Sequence, residues 1–243
     1  MKASTIGLGV ASVLVGVILP PLPAAPPPRK HVSPGKVTDR DGKPKAAAKP
    51  GLTREQREQV EKAARAFFTA NPAQQTAWKS DAALDRLLTA NESAVRRAAW
   101  QAYRAAAIHA DRKKDFDRDR VRHGKYLSPY KVKKVGKRPA KGWPLFIALH
   151  GGGGAPKAVN DSQWRIMQIY YRDQPSVTGY QYLALRAPND AWNGFYDDYI
   201  PPLVVNLIRQ FLLFGDVDPD KVYLMGYSHG GYGAFFVDRK SVV

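Results

Sequence analysis

Cysteine is absent from the 243-residue chain, and its absence removes several kinds of chemistry. Disulfide bonds, thiolate nucleophiles, cysteine-based zinc sites and lipid-modified cysteine are all excluded. Acidic residues are scarce in one part only: residues 1–142 carry 30 Lys and Arg against 12 Asp and Glu, whereas residues 143–243 carry 8 against 9. The net charge of +17 therefore belongs to the first part and does not describe a site in the second.

The N-terminal segment has the composition of an export signal. Lys2 precedes an uncharged, mostly apolar run from Thr5 to Leu19, which Pro20 ends. The run is shorter than the roughly 20 residues that span a bilayer, and its order of features is typical of a secretory signal peptide. We predict a signal peptide or an uncleaved N-terminal anchor over residues 1–25, and hence a secreted or periplasmic protein.

Residues 26–52 are too poor in large apolar side chains to build a core, and they are rich in proline, glycine, lysine and arginine. Such a composition is typical of a solvated linker. We predict a basic, Pro-rich linker here. It acts either as a plain spacer or as an electrostatic tether to an anionic membrane or envelope surface.

An Ala-rich segment over residues 53–125 has helical periodicity. Thr53 and Gln56 have the spacing of a capping box, which predicts a helix start. From Asp111 to Arg122 the charges alternate in sign, which favours an exposed helix or connector. The basic residues are interleaved with acidic ones and no nucleic-acid motif is present, so we predict no nucleic-acid partner.

Residues 126–243 alternate between apolar strands and helices. Continuous apolar runs predict buried strands at 143–149, 180–187 and 221–225, and helical patterns follow the first two. This alternation predicts an α/β fold built on a mainly parallel sheet with helices on both faces, preceded by the small helical segment.

Two glycine-rich turns follow predicted strands. His150 is followed by four glycines, of which Gly151 and Gly152 are expected to direct backbone N–H groups at an oxyanion. The second turn has the pattern G-x-S-x-G around Ser228, which requires small residues two before and two after the serine. The supporting glycines are Gly226, Gly230 and Gly231, and the backbone N–H of His229 is the second expected oxyanion donor.

The combination of H-G-G-G-G with G-Y-S-x-G-G-Y-G resembles the α/β-hydrolase family. The resemblance is closest to secreted esterases, polyhydroxyalkanoate-depolymerase-like enzymes and predicted peptidases, and it covers about residues 126–237. It implies that Ser228 is the catalytic nucleophile, that the substrate is a small or polymeric ester, and that no cofactor or metal is needed. Asp190 and Trp192 are expected either to line the acyl or leaving-group pocket or to form a surface loop with one buried tryptophan.

The family pattern fails after the serine. Its triad runs in the order Ser, acid, His, but the fifteen residues after Ser228 include Asp238 and no histidine other than His229, which directly follows the serine. Neither His150 nor His229 is expected to be the base. We therefore expect a C-terminally truncated, inactive α/β-hydrolase domain over residues 126–243, with a gene that truly ends here as the competing interpretation. The rival functions are a prolyl-oligopeptidase-type peptidase and a non-catalytic binding module tethered to the envelope.

Overall fold

The computed structural model describes residues 51–241, which fall into two compact units, 51–109 and 110–241. The predicted export signal and nearly all of the predicted linker lie outside the described residues. Within residues 51–241, no helix is long and apolar enough to cross a membrane.

The first unit is helical, as the sequence predicts. It contains α1 (Arg54–Thr69), α2 (Pro72–Thr76), α3 (Ala82–Arg104) and a 3₁₀ turn at Ala107–His109. The predicted capping box is confirmed, because Thr53 and Gln56 each accept a hydrogen bond from the other's backbone N–H. Buried Val60 of α1 packs with Val95 and Ala98 of α3, where the small alanine side chain lets the two helices approach closely.

The second unit is an α/β structure with five strands and four helices. In chain order its elements are α4 (Ala110–Phe116), β1 (Arg120–His123), β2 (Tyr126–Gly136), β3 (Trp143–Leu149), α5 (Lys157–Tyr170), β4 (Gly179–Leu185), α6 (Ile200–Phe214), β5 (Val217–Gly226) and α7 (His229–Ser241). The strands lie in the order β1-β2-β4-β3-β5.

The sheet is mixed, so the prediction of a mainly parallel sheet is wrong. β3 pairs in parallel with β4 and β5, whereas β2 pairs antiparallel with both β1 and β4. The cause is the spacing of the helices along the chain. A parallel neighbour needs a crossover of a dozen or more residues, and such helical crossovers begin only after β3. The turn between β1 and β2 holds only two residues and makes a hairpin.

Apolar side chains cover both faces of the sheet. On one face, Leu145, Ile147 and Leu149 of β3 pack against α6, including Leu207 and Phe211. On the other face, Phe146 and Ala148 of β3 cluster with Met167 of α5. Because β3 is buried on both faces, its seven residues form a continuous apolar run and not an alternating one.

The division between the units falls at Ala110, before the boundary at 126 that the sequence pattern predicts. The charged run after Ala110 belongs to the second unit. Asp115 of α4 is buried and holds two arginines of β1, Arg120 at 2.7 Å and Arg122 at 3.5 Å. These ion pairs connect α4 to the edge of the sheet, so the charged run is not a connector. Its first part forms the predicted helix, in which Asp111, Lys113 and Lys114 are exposed.

Candidate active site

The strand order reverses at the carboxyl end of β3. The chain passes from β3 through α5 to β4 on one side, and then through α6 to β5 on the other side of β3. In open α/β sheets such a switch point leaves a crevice in which ligands bind. Both glycine-rich turns are located there, one after β3 and one after β5.

Ser228 occupies the sharp turn between β5 and α7. Its backbone φ is +52°, in the left-handed region that residues with a side chain rarely adopt. The side chain is exposed. Ser228 is thus a strained and exposed residue at a strand-to-helix junction.

Two glycines allow this turn to form, and a third does not contribute in the same way. A methyl group on Gly226 would overlap the Gly230 carbonyl, and one on Gly230 would lie 2.7 Å from the His150 carbonyl oxygen. The backbones of β3, β5 and α7 therefore meet without room for side chains. At Gly231 the nearest atom is 3.5 Å away, so this position has room for alanine.

Gly233 is a further required glycine, which the sequence reasoning missed. A methyl group there would lie 2.6 Å from Phe195 Cβ, because α7 packs directly on the loop before α6. The available signal was a glycine inside a helical pattern, where it is costly unless close packing needs it.

The glycine loop, residues 150–154, follows β3. Gly152, Gly153 and Gly154 all have positive φ, which lets the loop reverse above the sheet. Asn160 of α5 fixes this shape, although nothing in the sequence pattern pointed to it. Its Oδ1 accepts a hydrogen bond from Gly153 N at 2.8 Å and its Nδ2 donates to Ala155 O at 2.9 Å. Asn160 is 1% exposed.

Three backbone N–H groups near Ser228 form no hydrogen bond with any described residue: those of Gly151, Gly152 and His229. The N–H of His229 is the first in α7, where the helix leaves its N–H groups unpaired and carries a partial positive charge. These are the donors that the sequence predicts for an oxyanion.

His150 supports the loop and is not placed to act as a base. Its Nδ1 donates to Gly151 O at 2.6 Å, and its Nε2 accepts from Ala187 N at 3.0 Å. Burial lowers the pKa of His150 to about 4, with the hydrogen bond to Gly151 opposing this shift. His150 is therefore a neutral ring that connects the ends of β3 and β4.

The side chain of His229 is also not placed to act as a base. Its Nε2 donates to Trp192 O at 2.6 Å, and its Nδ1 is buried without a partner in the described part of the chain. Its ring packs against Phe195 and Tyr196, and burial lowers its pKa. Neither nitrogen is available to Ser228.

The structure does not bring Asp190 and Trp192 into one pocket. Asp190 pairs with buried Arg186 and lines a cavity of about 400 Å³ between β2, α5 and the loop after β4. Trp192, which is 63% exposed, lines a different cavity beside α7. Arg186 also pairs with Asp161 at 3.0 Å, and sequence reasoning missed this buried guanidinium because one arginine after a strand carries no pattern.

Comparison with protein-family models, curated proteins and solved structures finds no match to this chain. Any assignment of function therefore depends on the geometry described above.

Proposed function

We propose that this protein is a serine hydrolase of the α/β-hydrolase type that acts on carboxylic esters, with Ser228 as the nucleophile. The conformation of Ser228 is the observation that carries the proposal. A strained serine with φ of +52° follows a buried strand, begins a helix, and is framed by Gly226 and Gly230. This combination is typical of the turn that presents the nucleophile in that family.

The surrounding N–H groups supply the second element of the proposal. In α/β-hydrolases the oxyanion binds the N–H of the residue after the nucleophile and an N–H from the loop after the third strand. Here these correspond to His229 and to the glycine loop after β3, at Gly151 and Gly152. Donors that are already oriented stabilise the developing charge without rearrangement, which is commonly the largest catalytic contribution.

The proposed reaction has two steps. Ser228 Oγ bonds to the ester carbonyl carbon and loses its proton to a base, and the alcohol leaves with a proton when the tetrahedral intermediate collapses. Water then attacks the acyl-serine, releasing the acid and restoring the hydroxyl. The N–H donors bind the carbonyl oxygen in both steps.

The base is the element that residues 51–241 do not place beside Ser228. His150 uses both ring nitrogens in hydrogen bonds, and His229 has one bonded and one covered. A serine without a base is a poor nucleophile. This observation favours the alternative function, a non-catalytic binding module that retains the crevice.

Labelling with a fluorophosphonate probe distinguishes the two functions. The protein expressed from its complete gene is compared with Ser228→Ala and with Ser176→Ala, a matched control at an exposed serine in the loop before β4. We expect labelling of the wild type and of Ser176→Ala, and none of Ser228→Ala. Equal labelling of all three proteins would exclude Ser228 as the nucleophile, and no labelling of any would favour the binding module.

Parallel assays with matched ester and amide substrates test the peptidase alternative. We expect Ser228-dependent turnover of the ester alone. Turnover of a peptide amide at a comparable rate would assign the protein to the peptidase class instead.

We also propose that the protein acts outside the cytoplasm, on the basis of the apolar run from Thr5 to Leu19. Residues 1–30 are fused to a reporter that is active only after export. A reporter that stays silent while the fusion is well expressed would contradict export.

A further inference from the structure

An open cavity of about 520 Å³ lies beside the turn that holds Ser228. We call it the aromatic groove. Five aromatic side chains line it: Trp192, Tyr196, Tyr232, Phe235 and Phe236. No charged side chain is among its lining residues in the described part of the chain. The only polar side-chain atoms in this set are two phenol oxygens and the indole nitrogen.

The helical period connects the groove to the serine. Ser228 immediately precedes α7, and Tyr232 and Phe235 follow it by four and seven residues, which places them in line on one helix face. Both side chains are turned toward solvent, with Tyr232 64% exposed. The groove thus runs along the face of α7 that follows Ser228.

Trp192 connects the groove to the oxyanion donors. A methyl group built on Gly154 would lie 3.5 Å from the Trp192 ring, so this ring packs beside the glycine loop. On its other side, Trp192 meets Tyr196 with ring centroids 6.4 Å apart and planes at 84°. Trp192 therefore lies between the glycine loop and the rest of the groove.

Tyr196 meets two of its neighbours in the groove edge to face, Trp192 and Tyr232. Tyr196 and Tyr232 have centroids 6.4 Å apart and planes at 67°. A bound ring meets faces on one wall and edges on another, which are the stacked and edge-to-face contacts that aromatic pairs prefer.

We propose that the aromatic groove binds the uncharged aryl group of the ester substrate. The role as a substrate site rests on the function proposed above, whereas the binding itself does not. A charged ring substituent would lose its hydration without finding a counter-ion among the described lining side chains, which is costly. A sugar ring would bring several hydroxyls to a surface with few hydrogen-bond partners, and a saturated ring would lose the edge-to-face contacts.

The test uses two uncharged amides that differ only in aromaticity, N-benzylacetamide and N-(cyclohexylmethyl)acetamide. Their binding to Ser228→Ala is followed by NMR titration, so catalysis plays no part. We expect N-benzylacetamide to bind about three- to tenfold more tightly than the saturated amide, from the usual worth of aromatic pairing.

Substitutions in the groove identify the site of binding. Tyr232→Leu and Trp192→Leu, each made in the Ser228→Ala background, are expected to bring the affinity ratio of the two amides close to one. Trp100→Leu is the matched control, because Trp100 is 41% exposed but lies on α3 in the other unit. It should leave the ratio unchanged.

Three results would overturn the proposal. One is equal binding of the two amides, and another is an unchanged ratio in both groove variants. The third is a protein that binds neither amide and is dimeric at the NMR concentration, since a second copy would then cover the groove. If selective binding is found but the wild type lacks Ser228-dependent ester hydrolysis, the groove stands and the proposed function fails.

Discussion

The Nε2 atom of His229 donates a hydrogen bond to the carbonyl oxygen of Trp192 across 2.6 Å. A carbonyl oxygen only accepts, so this bond places the ring proton on Nε2 and leaves Nδ1 bare when the ring is neutral. It joins the residue after Ser228 to the loop after β4. The serine turn, the glycine loop packed on the same ring and the aromatic groove are therefore held in one arrangement.

The conformation of Ser228 leads to a prediction about stability. Left-handed φ costs a residue with a Cβ about 1–2 kcal/mol, and glycine avoids this cost. We expect Ser228→Gly to have a free energy of unfolding about 1 kcal/mol above that of Ser228→Ala in urea denaturation. Ser176, whose φ is not positive, provides the control pair Ser176→Gly and Ser176→Ala. At this position the glycine variant should not be more stable than the alanine variant. A less stable Ser228→Gly would show that the turn is unstrained.

The glycines of the turn differ in how much space surrounds them, and alanine substitutions test this difference. Gly226→Ala and Gly230→Ala place a methyl group into backbone atoms and are expected to lower the free energy of unfolding by about 3 kcal/mol or more. Gly231→Ala, in the first turn of α7 with 3.5 Å of clearance, should be neutral or stabilising by up to about 1 kcal/mol. Thermal and urea denaturation of the three variants decide the matter. Equal losses in all three would contradict the geometry.

His150 makes stability depend on pH. Its pKa is about 4 in the folded protein and near 6.5 when exposed, so the unfolded chain binds more protons between these values. The contribution of neutral His150 to the free energy of unfolding is therefore complete above about pH 6.5 and is lost as the pH falls toward 4. The loss amounts to about 3 kcal/mol. Burial acts in the same direction on His229.

His150→Gln tests this origin of the pH dependence, because glutamine keeps a donor and an acceptor but does not titrate. The free energy of unfolding is measured from pH 7 to pH 4 for both proteins. We expect a clearly shallower fall in the variant. Parallel curves would remove His150 as the cause.

Asn160 is predicted to position the glycine loop. Asn160→Ala leaves the Gly153 N–H and the Ala155 carbonyl without their partner, which should cost about 1–3 kcal/mol of stability. In an active protein it should lower kcat more than it raises KM, since the loop carries the proposed oxyanion donors. Asn206→Ala is the control, because Asn206 makes one exposed bond to Arg122 O. A change in KM alone would indicate that Asn160 acts on substrate binding.

Local patterns predicted the elements that are determined locally. Thr53 and Gln56 marked the start of α1, and the run Trp143–Leu149 coincides with β3. Each of these features depends on a few neighbouring residues. The relative direction of β2 depends on its partner β4, about fifty residues away, and no periodicity within β2 reveals it.

The candidate site likewise contains some residues that local sequence patterns predict and others that they do not. The serine turn could be read from G-x-S-x-G because its steric demand falls on residues close in sequence. Asn160 and Arg186 could not, since their importance comes from burial and from partners brought close by folding, such as Gly153 for the first and Asp161 for the second. A single asparagine or arginine has no sequence signature of burial.

The strand order has a consequence for synthesis on the ribosome. β4 lies between β2 and β3, although it is made after both of them. Until residue 185 has left the ribosomal tunnel, β2 and β3 lack the strand that joins them, an interval of about 2–7 s at ordinary elongation rates. During this time the wholly apolar β3 has open edges, which are known sites of misassembly. Codons that slow translation between β3 and β4 would lengthen this exposure, and a chaperone that binds nascent apolar strands would act on this stretch.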